Sequence, residues 1–363
     1  MPNKFNSVIS FAVCACLTTM VGCKEESGIS TGIPSAQPTV TTSEVHKLDD
    51  GSQYSGTLVN GKKQGKGLYV WPNGDSYEGD WVEDVMSGEG VFKDTQGRVY
   101  KGQWANGLFN GKGTYTWPSG SRYEGDFVDG VKQGVGIYRW ADGREYRGQF
   151  YADRKNGNGT YQWPDGRKYM GEFKDDERTG QGKMIYPNGE IYDGQFVDGA
   201  RQGKGTVTLA DGSIYEGEFH NNVMQGQGTM QWPSGESYTG EFDNDLPNGK
   251  GEMRWPGGNT YTGQFVNGVM DGKGKLTFAD GRVYDGDFRQ GKRSGQGSLS
   301  WPSGEQYTGE FVDGLREGKG SFTWPDQSKY VGGFQQNALH GRGNCTTDGK
   351  TVPCRFDKGV RIE

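Results

Sequence analysis

Two short strings in this 363-residue chain contain the residue types of catalytic or phosphate-binding sites. Residues 349–351 read Gly-Lys-Thr, like the end of a phosphate-binding loop, but Asn344 stands where that loop requires a glycine. Residues 28–32 read Gly-Ile-Ser-Thr-Gly, the string that surrounds a nucleophilic serine in hydrolases. Such a serine needs a strand before it and a helix after it, and this polar segment predicts neither. We therefore expect both matches to be accidental.

Other candidate groups for catalysis or metal binding are isolated or belong to a repeated pattern. His46, His220 and His340 lie far apart and lack the spacing of metal ligands. Adjacent Asp175 and Asp176 fall in a predicted turn, where carboxylates stay solvated. Thirteen Gly-x-Gly pairs occur, but none is followed by the third glycine and the helix of a dinucleotide site. The sequence therefore predicts no enzyme, no metal and no cofactor.

The glycine pairs belong to a 23-residue repeat that accounts for most of the chain. A tyrosine recurs at this interval in thirteen copies, from Tyr54 to Tyr330, and it is numbered position 0 of each repeat below. Glycine occupies positions 2, 11 and 13 in all thirteen copies, and Trp or Phe occupies position 4 in twelve. Position 17 is aromatic in ten copies, usually within a Trp-Pro-x-Gly string. This regularity indicates a repeat array rather than separate globular domains.

Each repeat has the pattern of two β-strands joined by turns. Large apolar residues or glycine alternate with polar residues at positions 0–4 and again at 13–17, the period of a strand with one buried face. Position 7 is always Gly, Asp or Asn, which marks one turn, and Pro-x-Gly at positions 18–20 suits a type I turn with a glycine bulge. This register pairs Gly67 with Gly79 and Tyr69 with Tyr77. The aromatic rings then share one face, where we expect them to cover the glycines.

These features predict an all-β fold. We expect an elongated, twisted array of tandem antiparallel β-hairpins, with twenty-six strands in an open sheet or half-pipe. The predicted parts are a signal peptide at residues 1–22, a lipid-anchored flexible tether at 23–50, the repeat array at 51–343 and a capping hairpin at 344–363.

The N-terminus has the features of a bacterial export signal. Lys4 precedes a mostly apolar stretch at 8–21 that is too short to span a bilayer comfortably, and Met-Val-Gly stands directly before Cys23. This ending resembles the lipobox, whose cysteine is lipidated and becomes the mature N-terminus. The resemblance implies lipid attachment at Cys23 and a place in the cell envelope. If the organism is Gram-negative, Lys24 is compatible with the outer membrane. Secretion without lipid and a retained anchor are the alternatives.

Two cysteines remain after the predicted signal peptide and the lipidated residue are set aside. An even pair in an exported chain favours a disulfide between Cys345 and Cys354. The two flank residues 347–349, where the repeat predicts a turn, so adjacent antiparallel strands would bring them within bonding reach. Two free thiols are the alternative.

The strings Tyr-Glu-Gly-Asp-Trp at 77–81 and Tyr-Glu-Gly-Asp-Phe at 123–127, each followed by Gly-x-Gly, resemble the MORN repeat (membrane occupation and recognition nexus). The resemblance covers residues 54 to about 343. It implies tandem antiparallel hairpins in an extended sheet. It also implies scaffolding, protein contact or membrane association, since catalysis in such proteins belongs to separate domains, and we expect none here.

Charge and composition narrow the function further. The net charge is −6, whereas nucleic-acid binding needs clustered Lys and Arg, so no nucleic-acid partner is expected. An aromatic content of 13% is more typical of a folded chain than of a disordered one. The leading hypothesis is a non-catalytic interaction scaffold or spacer, with an unidentified protein partner and a membrane anchor at lipidated Cys23.

The alternative is a glycan- or lipid-binding module that uses the aromatic face, because rows of rings can stack on sugars or enter a lipid interface. Its candidate contacts are the tryptophans at position 17: Trp71, Trp117, Trp140, Trp163, Trp232, Trp255, Trp301 and Trp324. The same rings, however, are needed to cover the glycines. Asp94 and Leu209 interrupt this row. Asp94 either marks a ligand contact or reaches water or a tyrosine hydroxyl.

Overall fold

The computed structural model describes residues 39–41 and 44–363 of the chain. Val40–Glu363 forms one compact unit. Its strands form one open antiparallel sheet, and the described residues form no helix. A membrane-spanning helix is accordingly not found among them. The predicted signal peptide and Cys23 lie outside the described residues.

The sheet contains thirty strands in the described part of the chain, and every repeat contributes a first strand of seven residues and a second strand of nine or ten. In chain order the strands are β1 (Val40–Thr41), β2 (Val45–Lys47), β3 (Gln53–Val59), β4 (Lys62–Val70), β5 (Ser76–Val82), β6 (Val85–Lys93), β7 (Val99–Ala105), β8 (Leu108–Thr116), β9 (Arg122–Val128), β10 (Val131–Arg139), β11 (Glu145–Tyr151), β12 (Arg154–Gln162), β13 (Lys168–Lys174), β14 (Glu177–Ile185), β15 (Ile191–Val197), β16 (Ala200–Thr208), β17 (Ile214–His220), β18 (Val223–Gln231), β19 (Ser237–Asp243), β20 (Leu246–Arg254), β21 (Thr260–Val266), β22 (Val269–Thr277), β23 (Val283–Arg289), β24 (Lys292–Ser300), β25 (Gln306–Val312), β26 (Leu315–Thr323), β27 (Lys329–Gln335), β28 (Ala338–Thr347), β29 (Lys350–Asp357) and β30 (Val360–Arg361).

The predicted all-β fold and the predicted register are confirmed. The thirteen repeats supply the twenty-six strands β3 to β28, and each strand pairs with the next one along the chain. Gly67 lies opposite Gly79, and Tyr69 lies opposite Tyr77. Every repeat therefore carries its position 0 tyrosine, its position 4 side chain and its glycine pair on the same face, which is called the aromatic face below. Tyr151, at position 5, lies on the other face and is 62% exposed. The opposite face is called the polar face.

Two kinds of turn connect the strands. The turn inside each repeat has two residues with positive φ, as at Glu83 (46°) and Asp84 (71°), which is the type I′ geometry that matches the twist of a hairpin. The turn between repeats is a type I turn, in which Gly74 N–H donates to the Trp71 carbonyl at 2.9 Å. Gly74 has a φ of 91°, so a glycine is favoured there.

The tyrosine at position 0 forms the centre of each repeat. Tyr192, for example, is fully buried and lies over the cross-strand pair Gly194 and Gly205. A Cβ atom added to Gly205 would lie 2.6 Å from Cε2 of this ring. The Tyr192 hydroxyl donates to the Gln195 carbonyl at 2.9 Å, and the same bond recurs in all thirteen repeats. Glycine is thus required because the ring occupies the space of a side chain.

Rings at position 4 close the core between repeats. Phe196 packs edge-on against Tyr192 of its own repeat with centroids 5.2 Å apart, and Phe219 of the next repeat packs on the same tyrosine at 5.0 Å. Edge-to-face contacts of this kind are favourable for aromatic pairs. Since the position 0 tyrosines from Tyr77 to Tyr307 each contact rings from two repeats, a single repeat cannot bury its own core.

The second strand of a hairpin accommodates its additional residues in a bulge at positions 11 and 12. In the second repeat the register shifts between Gly79 and Asp80, and Gly88 takes a φ of 59°. The Asp80 carboxylate accepts a hydrogen bond from the Glu89 N–H at 2.8 Å, so the bulge amide is satisfied. Gln103 does the same for Lys112 in the next repeat, at 3.0 Å. The acidic or amide residue at position 3 is therefore a structural acceptor, as well as a polar group facing water.

The ends of the array differ in one respect from the sequence prediction. Residues 23–50 were expected to form a flexible tether, but β1 and β2 fall within this range and pair with the outer edge of β3. Without them the N–H and C=O groups of that edge would be unpaired. At the other end, Cys345 in β28 and Cys354 in β29 form a disulfide, with Cα atoms 5.9 Å apart.

Replacing Gly205 with alanine should lower the free energy of unfolding by about 1–3 kcal/mol, because the added methyl group collides with the Tyr192 ring. Gly257→Ala is the matched control, since a Cβ atom there meets no atom within 4 Å and the backbone is not left-handed. Urea unfolding followed by circular dichroism measures both changes. Equal stability of the two variants would contradict the role assigned to the glycine pair.

Alkaline pH should destabilise the array through its buried tyrosines. Burial raises the pKa of Tyr192 and Tyr215 to about 12, from an ordinary value of 10.0. Between these values the unfolded chain releases phenolic protons that the folded chain retains, so the free energy of unfolding falls as pH rises from about 10 to about 12. Below pH 10 this contribution stays constant.

The measurement compares the urea midpoint across this range with the ultraviolet absorbance of tyrosinate. The absorbance should rise together with unfolding. Six of the nineteen tyrosines lie outside position 0, so tyrosinate from more than six residues near pH 10 while the sheet remains intact would show that position 0 hydroxyls are accessible to solvent.

Candidate binding surface on the aromatic face

The tryptophans at position 17 form the outer layer of the aromatic face. All eight are half-buried and pack against the tyrosine core below them. In the third to fifth repeats they alternate with the position 15 tyrosines in one continuous row of rings, with successive centroids 4.4–5.4 Å apart: Tyr115, Trp117, Tyr138, Trp140, Tyr161 and Trp163. The structure therefore brings three of the eight predicted contacts together in a partly exposed strip.

The other five tryptophans are arranged differently. Trp71 contacts rings on both sides, and Trp301 and Trp324 are joined through Phe322, with centroids 5.9 and 4.9 Å apart. Trp232 and Trp255 follow methionines at position 15 and have no ring contact within the described sheet. The aromatic face is thus divided into separate strips and is not one uniform surface.

A row of cations at position 9 also lies on the aromatic face, and the sequence analysis did not identify it. Its members are Lys63, Lys132, Lys155, Arg178, Arg201, Arg293 and Arg316, and each lies within 6.0 Å of at least one ring centroid. The other repeats have Met, Phe, Pro or Leu at position 9. This alternation between long cations and apolar residues was the available signal, because both kinds of side chain can cover a ring.

The lysines of this row are neutralised by the following repeat. Lys63 pairs with Asp84 at 3.0 Å, Lys132 with Asp153 at 3.3 Å and Lys155 with Asp176 at 3.2 Å. Each aspartate occupies position 7 of the next repeat, and its carboxylate also accepts the backbone N–H of the lysine. These turn aspartates therefore serve the structure, and they bind the cation that covers the core.

The arginines of the row occur where position 7 of the next repeat is Gly or Asn. Arg201 still has a carboxylate partner, because it pairs with Glu190 at 2.6 Å and also donates to the Tyr186 hydroxyl at 3.0 Å. Burial disfavours its charge, but these bonds outweigh burial and raise the pKa of Arg201. Both partners are largely buried, with 12% and 22% of their side-chain surfaces exposed.

Arg178, Arg293 and Arg316 have no ion pair with any residue in the described part of the chain. Each donates from Nη2 to a carbonyl of the next turn, at Gly199 (2.7 Å), Gly314 (2.6 Å) or Asn337 (2.6 Å). Burial lowers the pKa of Arg293 and of Arg316, and no nearby carboxylate offsets this effect. Arg293 and Arg316 belong to adjacent repeats. They are therefore two neighbouring cations of the row that both lack a carboxylate partner.

Asp94 reaches neither water nor a tyrosine hydroxyl, because its buried carboxylate binds its own turn. Its carboxylate accepts hydrogen bonds from the backbone N–H of Gln96 at 3.0 Å and of Arg98 at 2.8 Å, and it also pairs with the Arg98 guanidinium. Burial opposes its ionisation, but the bonds from Arg98 outweigh burial and lower the pKa of Asp94. Asp94 therefore closes its own turn, which explains why this turn needs neither tryptophan nor proline. Leu209 packs against the core.

The remaining candidates from the sequence are dispersed in the structure. His46, His220 and His340 lie in β2, β17 and β28. Among residues 39–41 and 44–363, no group of three or more His, Cys, Asp or Glu residues is arranged to hold a metal ion. The polar face carries shallow grooves along the glycine rows. One of about 680 Å³ has mixed charges, with Lys66, Glu78, Glu89 and Lys101 among its lining residues.

Comparison with known proteins identifies the repeat. The family model described as the MORN repeat matches thirteen consecutive segments, from 54–76 to 330–351. A search of curated proteins found no significant match.

Solved structures give weaker likenesses. The TCP domain of Drosophila melanogaster SAS-4 in complex with a proline-rich motif is 12% identical, with 52% of this chain and 99% of that chain covered and a TM-score of 0.30. The G-box domain of CPAP is 16% identical, with 60% and 96% covered and a TM-score of 0.23. The TCP10 domain of Danio rerio CPAP in complex with a peptide is 15% identical, with 76% and 98% covered and a TM-score of 0.19. These scores are too low to support a functional comparison.

Arg201→Gln should lower the free energy of unfolding by about 2 kcal/mol, because it leaves the largely buried Glu190 carboxylate without its partner. Arg316→Gln is the matched control at the same position of another repeat, and it should cost less than about 1 kcal/mol, since no carboxylate loses a partner. Urea unfolding measures both values. A larger loss for Arg316→Gln would contradict the contrast between paired and unpaired arginines.

Proposed function

The chain belongs to the MORN-repeat family, and we propose that it is a non-catalytic interaction scaffold or spacer, held at the bacterial cell envelope by lipid attached to Cys23. MORN repeats suggest a role in binding or scaffolding that the repeats themselves perform. The anchor, the location and the absence of catalysis are parts of the proposal.

The observation that carries the scaffold is the unbroken pairing of strands from β3 to β29. Each strand is hydrogen-bonded to the next, and the turns of neighbouring repeats are also linked, as by the bond from Gly107 N–H to the Met86 carbonyl at 3.0 Å. A partner protein can therefore contact several repeats that keep fixed positions relative to one another. Several weak contacts made together give a much stronger complex than any one of them.

The structural use of the polar groups supports a non-catalytic role. Position 3 carboxylates and amides bind bulge amides, as Asp80 and Gln103 do. Position 7 aspartates bind the lysines that cover the core, as Asp84 does. Groups that are already held in structural bonds are poorly placed to exchange protons with a substrate.

The membrane anchor rests on the sequence before the described residues. A cysteine that follows a short apolar stretch and a Met-Val-Gly string is the basis for lipid attachment at Cys23. Two or more acyl chains would hold the protein on a membrane durably. In a Gram-negative organism we propose the outer membrane as its location.

Glycan or lipid binding by the aromatic face is the second proposed function. It is favoured by the strip from Tyr115 to Trp163, whose rings, apart from the buried Tyr161, are partly exposed although they also cover the core. Stacking of a flat ligand on Trp140 and Trp163 would displace the Arg144 and Arg167 guanidiniums, which lie 5.2 and 5.1 Å from those ring centroids, but would leave the sheet unchanged.

Crosslinking on intact membranes, followed by purification of the array, should recover a defined partner protein if the scaffold proposal is correct. Cys23→Ser should move the protein from the membrane fraction to the soluble fraction and reduce this recovery. Stability of the array should not change, because residue 23 lies before the sheet. A crosslinked sample without a specific partner would contradict the scaffold, and a Cys23→Ser protein that still carries lipid would contradict the anchor.

A further inference from the structure

Arg293 and Arg316 stand at position 9 of adjacent repeats, in β24 and β26, and each is half-buried on the aromatic face. A guanidinium has five N–H donors. Within the described chain, each guanidinium donates one hydrogen bond. It runs from Nη2 to a turn carbonyl, at Gly314 for Arg293 and at Asn337 for Arg316. Several donors of both groups therefore remain available to a ligand.

The two arginines differ from the other cations of their row in having no counter-charge and in being neighbours. The three lysines pair with aspartates, and Arg201 pairs with Glu190. Arg178 is unpaired, but its neighbours Lys155 and Arg201 are both paired. Two strand spacings separate Arg293 from Arg316, a distance of about 10 Å. Two partly desolvated positive charges at this separation repel each other, and an anion bound between or over them would remove the repulsion.

A position 17 ring lies beside each guanidinium. Arg293 lies 6.0 Å from the Phe278 centroid, and Arg316 lies 5.6 Å from the Trp301 centroid. Both rings are half-buried. The Arg282 guanidinium also lies over Phe278, 4.7 Å from its centroid, so Trp301 is the ring of this pair on which a flat ligand can stack without displacing a second cation. The surface therefore places an arginine beside an aromatic ring in each of two successive repeats.

We propose that this surface binds a linear acidic glycan, whose carboxylates bind Arg293 and Arg316 and one of whose sugar faces stacks on Trp301. The inference rests on the second proposed function; it names a ligand class and a further site on the aromatic face, separate from the strip between Tyr115 and Trp163. Arginine binds a carboxylate through two parallel N–H···O bonds, which suits the free donors of both side chains.

The repetition of the unit favours a glycan over an acidic peptide. A polymer of identical acidic sugars presents a carboxylate beside a flat sugar ring at regular intervals, and two successive repeats present an arginine beside an aromatic ring. A peptide alternates its side chains and offers no flat aliphatic ring beside each carboxylate. The net charge of −6 disfavours general attraction of polyanions, so affinity must come from the local site.

Binding should be measured by calorimetry with oligogalacturonate as the probe, using the purified full-length protein. Its fully methyl-esterified form, which has the same backbone and no charge, is the ligand control. We expect the acidic oligomer to bind and the ester to bind at least about tenfold more weakly, since a charged hydrogen bond contributes about 1.5 kcal/mol or more. Poly-glutamate and anionic lipid vesicles test the other two ligand classes.

Arg293→Gln/Arg316→Gln should weaken binding of oligogalacturonate by at least about tenfold. The matched control, Arg178→Gln/Arg201→Gln, changes the same position in two other adjacent repeats and should alter the affinity by less than about threefold. Arg293→Lys/Arg316→Lys keeps both charges but loses the two-bond geometry, so it should bind with intermediate affinity. Circular dichroism confirms that each variant is folded, and the lysine variant supplies the comparison if the glutamine variant does not fold.

Equal binding of the ester, an equal loss in the control variant, or tighter binding of poly-glutamate or vesicles would overturn the proposal. Recovery of the crosslinked partner protein by Arg293→Gln/Arg316→Gln should equal that of the wild type. The scaffold proposal and the glycan-site proposal can therefore be contradicted independently of each other.

Discussion

The contact between the position 0 tyrosine and the cross-strand glycine pair is the constraint on which the rest of the structure depends. The ring occupies the space where two Cβ atoms would stand, as at Tyr192 over Gly194 and Gly205. A shift of the register by one residue would move a side chain under the ring and move the ring to the polar face. The tyrosine hydroxyl donates to the carbonyl at position 3, which is where the bulge begins. One side chain therefore fixes the register of the strand pairing, the position of the bulge and the face of the sheet on which the core lies.

The second layer of the aromatic face follows from this contact. A tyrosine that lies flat over glycine leaves its other side open, and rings at position 4 from two repeats cover part of it. The rest is covered from positions 9, 15 and 17, where several residue types are compatible with the space. Lys63, Met86 and Phe109 occupy position 9 in the first three repeats. Variation at this layer changes the surface without changing the sheet, which is how an array with a uniform core acquires distinct local sites.

The fold could be predicted from the sequence because its constraint repeats in every copy. The spacing of Tyr, Gly and Trp or Phe was sufficient to pair Gly67 with Gly79. The row at position 9 could not be recognised in the same way, since lysine, arginine and methionine share a length and not a chemical type. The bulge also hid which face position 9 occupies, because positions 11 and 12 interrupt the alternation. The pairing of β1 and β2 with β3 depends on the free edge of the array, which is not part of any repeat.

The residue at position 7 of the following repeat determines whether a turn carboxylate neutralises each cation of the row. An aspartate there brings a carboxylate to the lysine ammonium and neutralises it, as Asp84 does for Lys63. A glycine or asparagine supplies only a carbonyl oxygen, which orients an arginine without removing its charge, as Gly314 does for Arg293. Positive charge therefore remains on the aromatic face where the turn lacks a carboxylate and no other acid replaces it. Arg293 and Arg316, in two adjacent repeats, both meet this condition. These departures from the repeat, at position 9 and at position 7 of the following repeat, give the aromatic face its local differences in charge, while the tyrosine core beneath it stays uniform.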